Sequence, residues 1–211
     1  MNIGIVGSGI VAQTLAAGFL KHGHAVMLGT RNSQQLDEFA DAHPDVRIGS
    51  SAQAAAFAQV AVLAVKGTAA LQAAYDAAPH LDGKTVLDTT NPIADAPPVD
   101  GVLSFFTGPN ESLLERLQRE FPRARFVKAF NSVGSARMVD PHFTGGAPTM
   151  FIAGDDAGAR AQATQLLADF GWEVADMGRA VAARAIEPLC MLWCIPGFRD
   201  NSWTHAFKLL R

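Results

Sequence analysis

The stretch NIGIVGSGIVAQTLAAGFLKHGHAVMLGTRNS, residues 2–33, decides the fold of this chain. An apolar, strand-like run comes first, a glycine turn follows, and Ile10 to Lys21 reads as a helix that leads into a second apolar run at 25–29. Gly7-Ser8-Gly9-Ile10-Val11-Ala12 matches the pattern G-x-G-x-x-G/A between a strand and a helix, which is the context that the pattern requires. We therefore predict a βαβ unit that binds a dinucleotide; the alternative is an ordinary βαβ turn.

The residues of this turn suit a pyrophosphate for separate physical reasons. Gly7 permits the tight turn, and Gly9 lets a phosphate approach the backbone without meeting a side chain. Ala12 is small enough for the helix and the strand to pack closely. The N-terminus of the helix adds free N–H groups and the positive end of its dipole.

The residues after the second strand indicate which dinucleotide binds. An NAD site usually has a carboxylate here for the ribose 2′-hydroxyl, whereas an NADP site offers arginine to the 2′-phosphate. This chain has Thr30-Arg31-Asn32-Ser33 and no carboxylate before Asp37. Arg31 can bind a phosphate through charge-assisted hydrogen bonds, and Thr30 and Ser33 can add hydroxyl donors. We predict NADP(H) as the cofactor; the alternative is a solvated arginine beside a helix cap.

Short apolar runs alternate with helix-like segments through most of the sequence. The unbroken apolar run at 60–65 is typical of a strand buried on both faces of a parallel sheet, and Ser112-x-x-Glu115 is a capping box that predicts a helix to about Phe121. Further strands are predicted at 46–49, 125–131, 149–154 and 172–177, and residues 84–92 are predicted to form a strand and its exit loop. The pattern predicts an α/β Rossmann fold over 1–177, with a doubly wound, mostly parallel sheet. From Gly178 the pattern changes, and residues 178–211 are predicted to form a short helical appendage that Pro188 kinks.

The composition argues against several classes of partner. The 211 residues include 17 basic and 20 acidic side chains, a balance that predicts neither a nucleic-acid nor an anionic-membrane partner. No stretch has the roughly 18 uninterrupted apolar residues of a membrane span, and the N-terminus lacks the basic region of a secretory signal, so we expect a cytoplasmic protein. Cys190 and Cys194 lie on one predicted helix face, where a disulfide is awkward and further metal ligands are missing. We predict buried thiols and no metal site.

Later segments of the chain carry a family resemblance. VLAVKG, VLDTTNP, VKAFNSVG, MFIAGDD and EPLCMLW follow the glycine turn in this order and span almost the whole chain. Together they resemble the NADP oxidoreductases that depend on the deazaflavin coenzyme F420, and the cytoplasmic reductase domain of the six-transmembrane ferric reductases is similar. The resemblance implies NADP(H), coenzyme F420 or a flavin as co-substrate, and a small helical C-terminal region that contributes to the acceptor pocket and to a homodimer.

The resemblance also implies roles for individual residues. It places Ser8, Gly9, Ile10 and Val11 at the pyrophosphate, and Thr30 and Arg31 at the 2′-phosphate. The family often has a further basic residue on the next helix, where this chain has glutamines, so its phosphate grip is expected to be weaker. The implied contacts with the nicotinamide half lie at the exits of three strands: Ala64, Val65, Lys66, Asn91, Pro92 and Ala129.

Few side chains of the sequence suggest acid–base chemistry. Hydride transfer between two cofactors needs position and electrostatics more than reactive side chains, and the six histidines are scattered with no convincing nucleophile–base set. Asn131 and Ser132 follow the sixth strand at the expected mouth of the acceptor pocket, where Asn131 could orient a ring carbonyl or cap the next turn. Lys66 could contact phosphate or ribose, or be solvated. Glu187, Trp193 and Phe198 could line the acceptor pocket or serve core and dimer packing.

We therefore predict an NADPH-linked oxidoreductase that passes hydride to a flavin-like or deazaflavin acceptor, a small molecule. One alternative is an NADP-dependent metabolite dehydrogenase of the hydroxyacid or imine type. Such an enzyme ordinarily carries an acid–base residue in a long helical second domain, whereas a short segment follows Gly178 here. The other alternative is a non-catalytic NADP-sensing protein.

Overall fold

A six-stranded parallel sheet forms the centre of the molecule in the computed structural model, which describes residues 1–210. Its strands are β1 (Asn2–Val6), β2 (Ala25–Gly29), β3 (Arg47–Gly49), β4 (Val60–Leu63), β5 (Thr85–Asp88) and β6 (Arg125–Lys128). Their spatial order is β3-β2-β1-β4-β5-β6, and every neighbouring pair is parallel. The order changes direction between β1 and β4, so the predicted doubly wound Rossmann sheet is confirmed.

Helices cover both faces of this sheet. They are α1 (Ile10–Lys21), α2 (Asp37–Ala42), α3 (Ser51–Phe57), α4 (Ala70–Ala77), α5 (Leu113–Glu120) and α6 (Ala157–Asp169). The capping box predicted from Ser112 and Glu115 is present at the start of α5, and a second one, formed by Ser50 and Gln53, begins α3. In α3 and α5 these capping side chains satisfy the first free N–H groups and mark where the helix begins.

The core consists of two apolar layers, one on each face of the sheet. One layer packs α1 and α6 against the sheet, with Leu15, Phe19 and Phe170 among its buried side chains. The other packs α3, α4 and α5 against the opposite face. All four residues of β4 are buried, as its unbroken apolar run predicted. Each large apolar side chain buried in these layers contributes about 1.5–3 kcal/mol.

The last strand–helix–strand unit forms a separate small sheet. β7 (Thr149–Ile152) and β8 (Glu173–Asp176) pair in parallel with each other, and α6 connects them. An isolated antiparallel bridge between Lys128 and Ala153 joins this pair to the end of β6. The contact between the two sheets is therefore antiparallel, while each sheet is parallel within itself.

The C-terminal region contains α7 (Ala183–Ile186) and α8 (Pro188–Asp200). Pro188 is the first residue of α8, where a missing N–H breaks no helical hydrogen bond, and Glu187 before it keeps helical dihedral angles. Pro188 therefore marks the boundary between α7 and α8. Because the backbone of Glu187 stays helical, the bend predicted at this position is small. The helix ends at Asp200 and is capped by Asn201, whose φ of 52° is left-handed.

Residues 201–210 form neither helix nor strand, and the last part of this tail contacts the small sheet. The N–H of Thr149 donates to the carbonyl of Phe207 at 2.8 Å, and the N–H of Leu209 donates to the hydroxyl of Thr149 at 3.0 Å. The helical character predicted for the whole of 178–211 therefore stops at Asp200. The tail is held by pairing with β7 instead.

One helical segment of the described residues, Ala180–Asp200, is long and apolar enough to cross a membrane by length and composition alone. Its mean hydropathy is 1.3, and 33% of the window that meets the criterion is buried inside the protein. Glu187 within it is 1% exposed and forms an ion pair with Lys128 of the main sheet. Because core helices meet the same criterion, the absence of a membrane partner stays a prediction.

Candidate functional site

A cavity of about 1030 Å³ opens where the order of the main sheet changes direction. It lies beyond the carboxyl ends of β1, β2, β4 and β5, where open α/β sheets bind their ligands. The structure brings most of the sequence-predicted cofactor residues to its wall: Gly7, Ser8, Gly9, Ile10, Val11, Thr30, Arg31, Ala64, Val65, Lys66 and Asn91.

Five predicted residues lie elsewhere than on this wall: Ser33, Pro92, Ala129, Asn131 and Ser132. Asn32 lines the cavity in place of Ser33, because its side chain caps the turn that Ser33 begins. Ala129, Asn131 and Ser132 are almost fully buried at the end of β6. The predicted acceptor-pocket pair is therefore inside the protein, behind the wall of the cavity.

The sequence analysis missed several residues on the wall, which are Asn32, Gln35, Thr68, Gln72, Asp76, Thr89, Thr90 and Asp95. Gln72 and Asp76 lie four residues apart on α4, and the Nε2 of Gln72 donates to Asp76 at 2.8 Å. Their spacing on one helix face is visible in the sequence. That this face borders the cavity is not, because it depends on how α4 packs beside the sheet.

The glycine turn has the shape of a phosphate cradle. A side chain at Gly7, whose φ is 142°, would begin 2.1 Å from the carbonyl oxygen of Ala64. At Gly9 no atom of the described residues lies within 4 Å of the position that a Cβ would occupy, so that space is open. No described side chain caps the start of α1, which leaves its first N–H groups available to an anion. These features fit a bound pyrophosphate.

Arg31 extends from the end of β2 beside a rigid turn. The hydroxyl of Thr30 accepts a hydrogen bond from the N–H of Asn32 at 3.1 Å and donates to its carbonyl at 3.0 Å. The Oδ1 of Asn32 accepts from the N–H of Gln34 at 3.1 Å. Arg31 is exposed, lines the cavity and has no ion pair with any residue of 1–210. Its guanidinium is therefore available to an anionic ligand.

The two phosphate-facing loops are linked by a hydrogen bond that the sequence did not predict. The hydroxyl of Ser8 donates to the Oε1 of Gln35 at 3.1 Å, so the glycine turn contacts the segment after β2. The Nε2 of Gln13 also donates to the carbonyl of Ser8 at 2.9 Å. Both contacts hold the backbone of the glycine turn in place at the cavity wall.

The side chains on the cavity wall offer little acid–base chemistry. Its titratable residues are Arg31, Lys66, Asp76 and Asp95, and no histidine, cysteine or tyrosine of the described residues lines it. Among the same residues no group of His, Cys, Asp and Glu is placed to hold a metal ion. The arrangement is suited to binding and orienting a ligand that supplies its own reactivity.

A buried ion cluster lies behind the wall. The Nζ of Lys128 is 2.6 Å from Asp88 and 2.9 Å from Glu187, and the three side chains are almost completely excluded from solvent. Burial by itself lowers the pKa of Lys128, but the adjacent charges of Asp88 and Glu187 outweigh it and raise this pKa above its usual value. Lys128 is therefore a cation at neutral pH.

Glu187 connects this cluster to the start of α5. Its two carboxylate oxygens accept hydrogen bonds from the N–H groups of Leu113 and Leu114 at 2.9 and 3.0 Å. A carboxylate at this place satisfies free N–H groups and interacts favourably with the helix dipole. The sequence left open whether Glu187 lines the acceptor pocket or lies in the core, and the structure places its side chain in the core.

The other residues singled out in the C-terminal region have different environments. Trp193 is buried and donates to the carbonyl of His205 at 2.8 Å, whereas Phe198 is exposed. Cys190 is a buried free thiol and Cys194 is a partly buried one. The Cys190 thiol donates a hydrogen bond to the sulfur of Cys194, and this bond, together with burial, raises the pKa of Cys190.

Comparison with known proteins relates this site to reductases. The sequence profile of the family "NADP oxidoreductase coenzyme F420-dependent" matches residues 2–92. The solved structure of a candidate F420-dependent NADP-reductase from Arthrobacter sp. FB24 has 31% sequence identity and a TM-score of 0.93, and the match covers 99% of each chain.

More distant similarities extend to longer proteins. Metalloreductase STEAP3 from Rattus norvegicus is 26% identical over 199 residues, which is 92% of this chain and 38% of STEAP3. The chain thus spans well under half the length of this relative. A reductive aminase from Aspergillus terreus, solved with NADPH and ethyl-5-oxohexanoate, is 19% identical with a TM-score of 0.69, over 95% of this chain and 62% of the aminase. At that identity the similarity shows a shared fold alone.

Proposed function

The chain belongs to the family of coenzyme F420-dependent NADP oxidoreductases, and we propose that it transfers hydride between NADP(H) and a flavin-like or deazaflavin acceptor. The observation that carries the cofactor assignment is Arg31. Its guanidinium has no ion-pair partner within residues 1–210 and borders the cavity at the end of β2, where an NAD site would have a carboxylate.

In this proposal the cofactor lies across the point where the strand order changes direction. Arg31 and Thr30 bind the 2′-phosphate, and the open space at Gly9 with the first N–H groups of α1 receives the pyrophosphate. The adenosine half then lies over β2. The nicotinamide half extends the other way, toward the ends of β4 and β5, where Val65 and Asn91 line the cavity.

NADPH, when bound, supplies the hydride; the acceptor takes it together with one proton from solvent, which leaves NADP⁺ and the two-electron-reduced acceptor. The protein binds and orients the two partners. The lack of histidine, cysteine and tyrosine on the described wall supports an acceptor that needs no dedicated general acid. Flavins and deazaflavins are such acceptors, and the family description supports the deazaflavin.

We further propose that the chain acts as a homodimer through α8 in the small C-terminal region, 178–211. Leu192 and Phe198 on this helix are 55% and 45% exposed, and Trp203, whose ring packs against Phe198 at 5.2 Å, is 37% exposed. Exposed large apolar side chains of this kind are a feature of association sites, and two-fold dimers are the commonest closed assembly. A cytoplasmic location stays a prediction.

The cofactor assignment is tested by calorimetric titration of NADPH and NADH into the wild type, Arg31→Ala and Arg31→Asp. Hydrogen bonds to charged groups contribute roughly 1.5–3 kcal/mol, so Arg31→Ala is expected to weaken NADPH binding by about 10- to 100-fold and NADH binding little. Arg31→Asp should weaken NADPH further, because a carboxylate repels the phosphate. Arg123→Ala, which changes an exposed arginine remote from the cavity, is the control. A wild type that prefers NADH, or equal weakening of both cofactors, contradicts the assignment.

The acceptor is tested by anaerobic stopped-flow measurement of NADPH oxidation with coenzyme F420, flavins, quinones and ferric chelates. Rapid two-electron reduction of a deazaflavin or flavin supports the proposal. Reduction of imines or ketoacids alone would favour the metabolite-dehydrogenase alternative. Tight NADPH binding without turnover on any acceptor would favour a sensing role.

A further inference from the structure

Thr90 forms a part of the cavity wall that is held from behind by buried charges. Its N–H and its hydroxyl both donate to the Oδ1 of Asp88, at 2.9 and 2.6 Å. Its carbonyl accepts a hydrogen bond from the Nζ of Lys128 at 2.7 Å. Every polar group of Thr90 is therefore bound to the ion cluster, which fixes the backbone just before Asn91.

Asn91 is held in turn by Asn131. The Nδ2 of Asn91 donates to the carbonyl of Asn131 at 2.9 Å, and the Nδ2 of Asn131 donates to the Oδ1 of Asn91 at 3.2 Å. A carboxamide has two N–H donors and an oxygen with two lone pairs. Each end of the Asn91 side chain thus keeps one free hydrogen-bonding position while its orientation is fixed.

The same asparagine links the cavity wall to the C-terminal region. The Nδ2 of Asn131 also donates to the carbonyl of Ile186, the last residue of α7, at 3.0 Å. Glu187 follows directly and belongs to the ion cluster beneath Thr90. Ile186 is therefore linked to Asn91 through Asn131, and Glu187 is linked to Thr90 through Lys128.

This arrangement exists at the expense of local stability. Phe130, the residue before Asn131, is 1% exposed and has a φ of 60°, which is an unfavourable backbone conformation for a bulky side chain. The Oδ1 of Asn131 is buried with no hydrogen-bond partner in residues 1–210. Two unfavourable features at adjacent residues beside a ligand cavity are typical of a position retained for function.

We infer that Asn131 is a positioning residue: by fixing the Asn91 carboxamide, it shapes the wall that receives the nicotinamide of NADPH. The inference rests on the proposed function, since it requires NADPH in this cavity. Because Arg31 assigns the adenosine half to β2, the nicotinamide half reaches the end of β5, where Asn91 lies. The nicotinamide carboxamide also has a donor and an acceptor, which complement the two free positions of Asn91.

The test compares two ligands that differ only at the nicotinamide end. NADPH and 2′-phospho-ADP-ribose, which lacks the nicotinamide, are titrated by calorimetry into the wild type, Asn131→Ala and Asn131→Ser. We expect both substitutions to weaken NADPH binding by about tenfold and to change binding of the fragment by less than about twofold. A general loss of structure would weaken both ligands alike, so the ratio of the two affinities isolates the positioning role.

Two further variants sharpen this comparison. In an Asn91→Ala background, Asn131→Ala is expected to add little further loss of NADPH affinity, because it acts through Asn91. Gln118→Ala removes another partly buried amide, which bonds the backbone at Ala124 and Phe126 far from the cavity. Its effect on the two ligands should be equal.

The possible outcomes separate the inference from the proposed function. If the wild type binds neither ligand, the proposed function itself is wrong. If the wild type binds both, and the Asn131 variants weaken both ligands equally or neither, the inference is overturned. Thermal unfolding monitors each variant; if both Asn131 variants are unfolded at the assay temperature, the residue is structural and the inference is likewise overturned.

Discussion

Replacing Lys128 by methionine should destabilise the protein severely without touching the cavity directly. Methionine keeps most of the volume of the side chain but removes the cation that lies between Asp88 and Glu187. Both carboxylates are almost completely buried, so each would then lack its compensating charge. The carbonyl of Thr90 would lose a donor as well.

The expected magnitude follows from this burial. Removing one partner of a buried ion pair costs about 3–5 kcal/mol, a large part of the roughly 5–15 kcal/mol that holds a typical domain folded. For chains of this size 1 kcal/mol corresponds to about 2–4 °C, so the midpoint of thermal unfolding should fall by roughly 6–20 °C. Because the pKa of Lys128 is raised, the stability that its charge contributes is fully present below the usual lysine range and is lost only as pH rises through the raised value. The part of the difference that the Lys128 charge contributes should therefore stay constant from neutral pH to about pH 9.

Thermal and denaturant unfolding of three proteins would check this reasoning. Lys208→Met is the matched control, since Lys208 forms a partly exposed pair with Glu173 that is worth at most about 1 kcal/mol. The triple variant Lys128→Met/Asp88→Asn/Glu187→Gln removes all three charges but keeps carbonyl oxygens as acceptors, and it should recover part of the loss. If Lys128→Met is as stable as Lys208→Met, or if the triple variant is no more stable than the single one, uncompensated buried charge is not the cause.

Three further variants probe other parts of the molecule. Gly9→Val places a side chain in the open space that the pyrophosphate is proposed to occupy. The NADPH affinity measured by calorimetry should therefore fall by about 10- to 100-fold, while the midpoint of thermal unfolding stays unchanged. A folding defect in this variant would refute the phosphate cradle. Burial by itself raises the pKa of Glu115, but hydrogen bonds, chiefly from Arg184, outweigh burial and lower this pKa. The stability that the Glu115 carboxylate contributes is therefore present above about pH 4.3 and is lost at lower pH. Glu115→Gln keeps a capping acceptor and should lower the free energy of unfolding by about 0.5–1 kcal/mol at neutral pH. If wild type and variant still differ in stability in acid, the ionised carboxylate is not the cause. Leu192→Glu/Phe198→Glu should give a monomer in light scattering if the wild type is a dimer, and a monomeric wild type would disprove the proposed interface.

The sequence alone determined the features that depend on neighbouring residues. The bounds of α1 and β2 follow from the periodicity of one continuous stretch, and the structure reproduces them as predicted. The glycine turn and Arg31 reach the same cavity because adjacent parallel strands end at the same edge of a sheet. The start of α5 was equally readable, since a capping box needs only Ser112 and the residue three positions later.

Only the tertiary structure decided which polar residues line the cavity and which support it from inside. Asn131 follows the end of β6 by three residues, as Asn91 follows the end of β5, but Asn131 comes after a left-handed residue, Phe130, and lies behind the wall. Lys128 lies in the middle of the strand predicted at 125–131, where nothing local shows how its charge is compensated, and Glu187, from the far end of the chain, makes its burial possible. Burial and charge compensation are properties of side chains that meet only when the sheet and the C-terminal helices pack. A local pattern therefore specifies the strands and turns, whereas long-range packing determines which of their residues a ligand can reach.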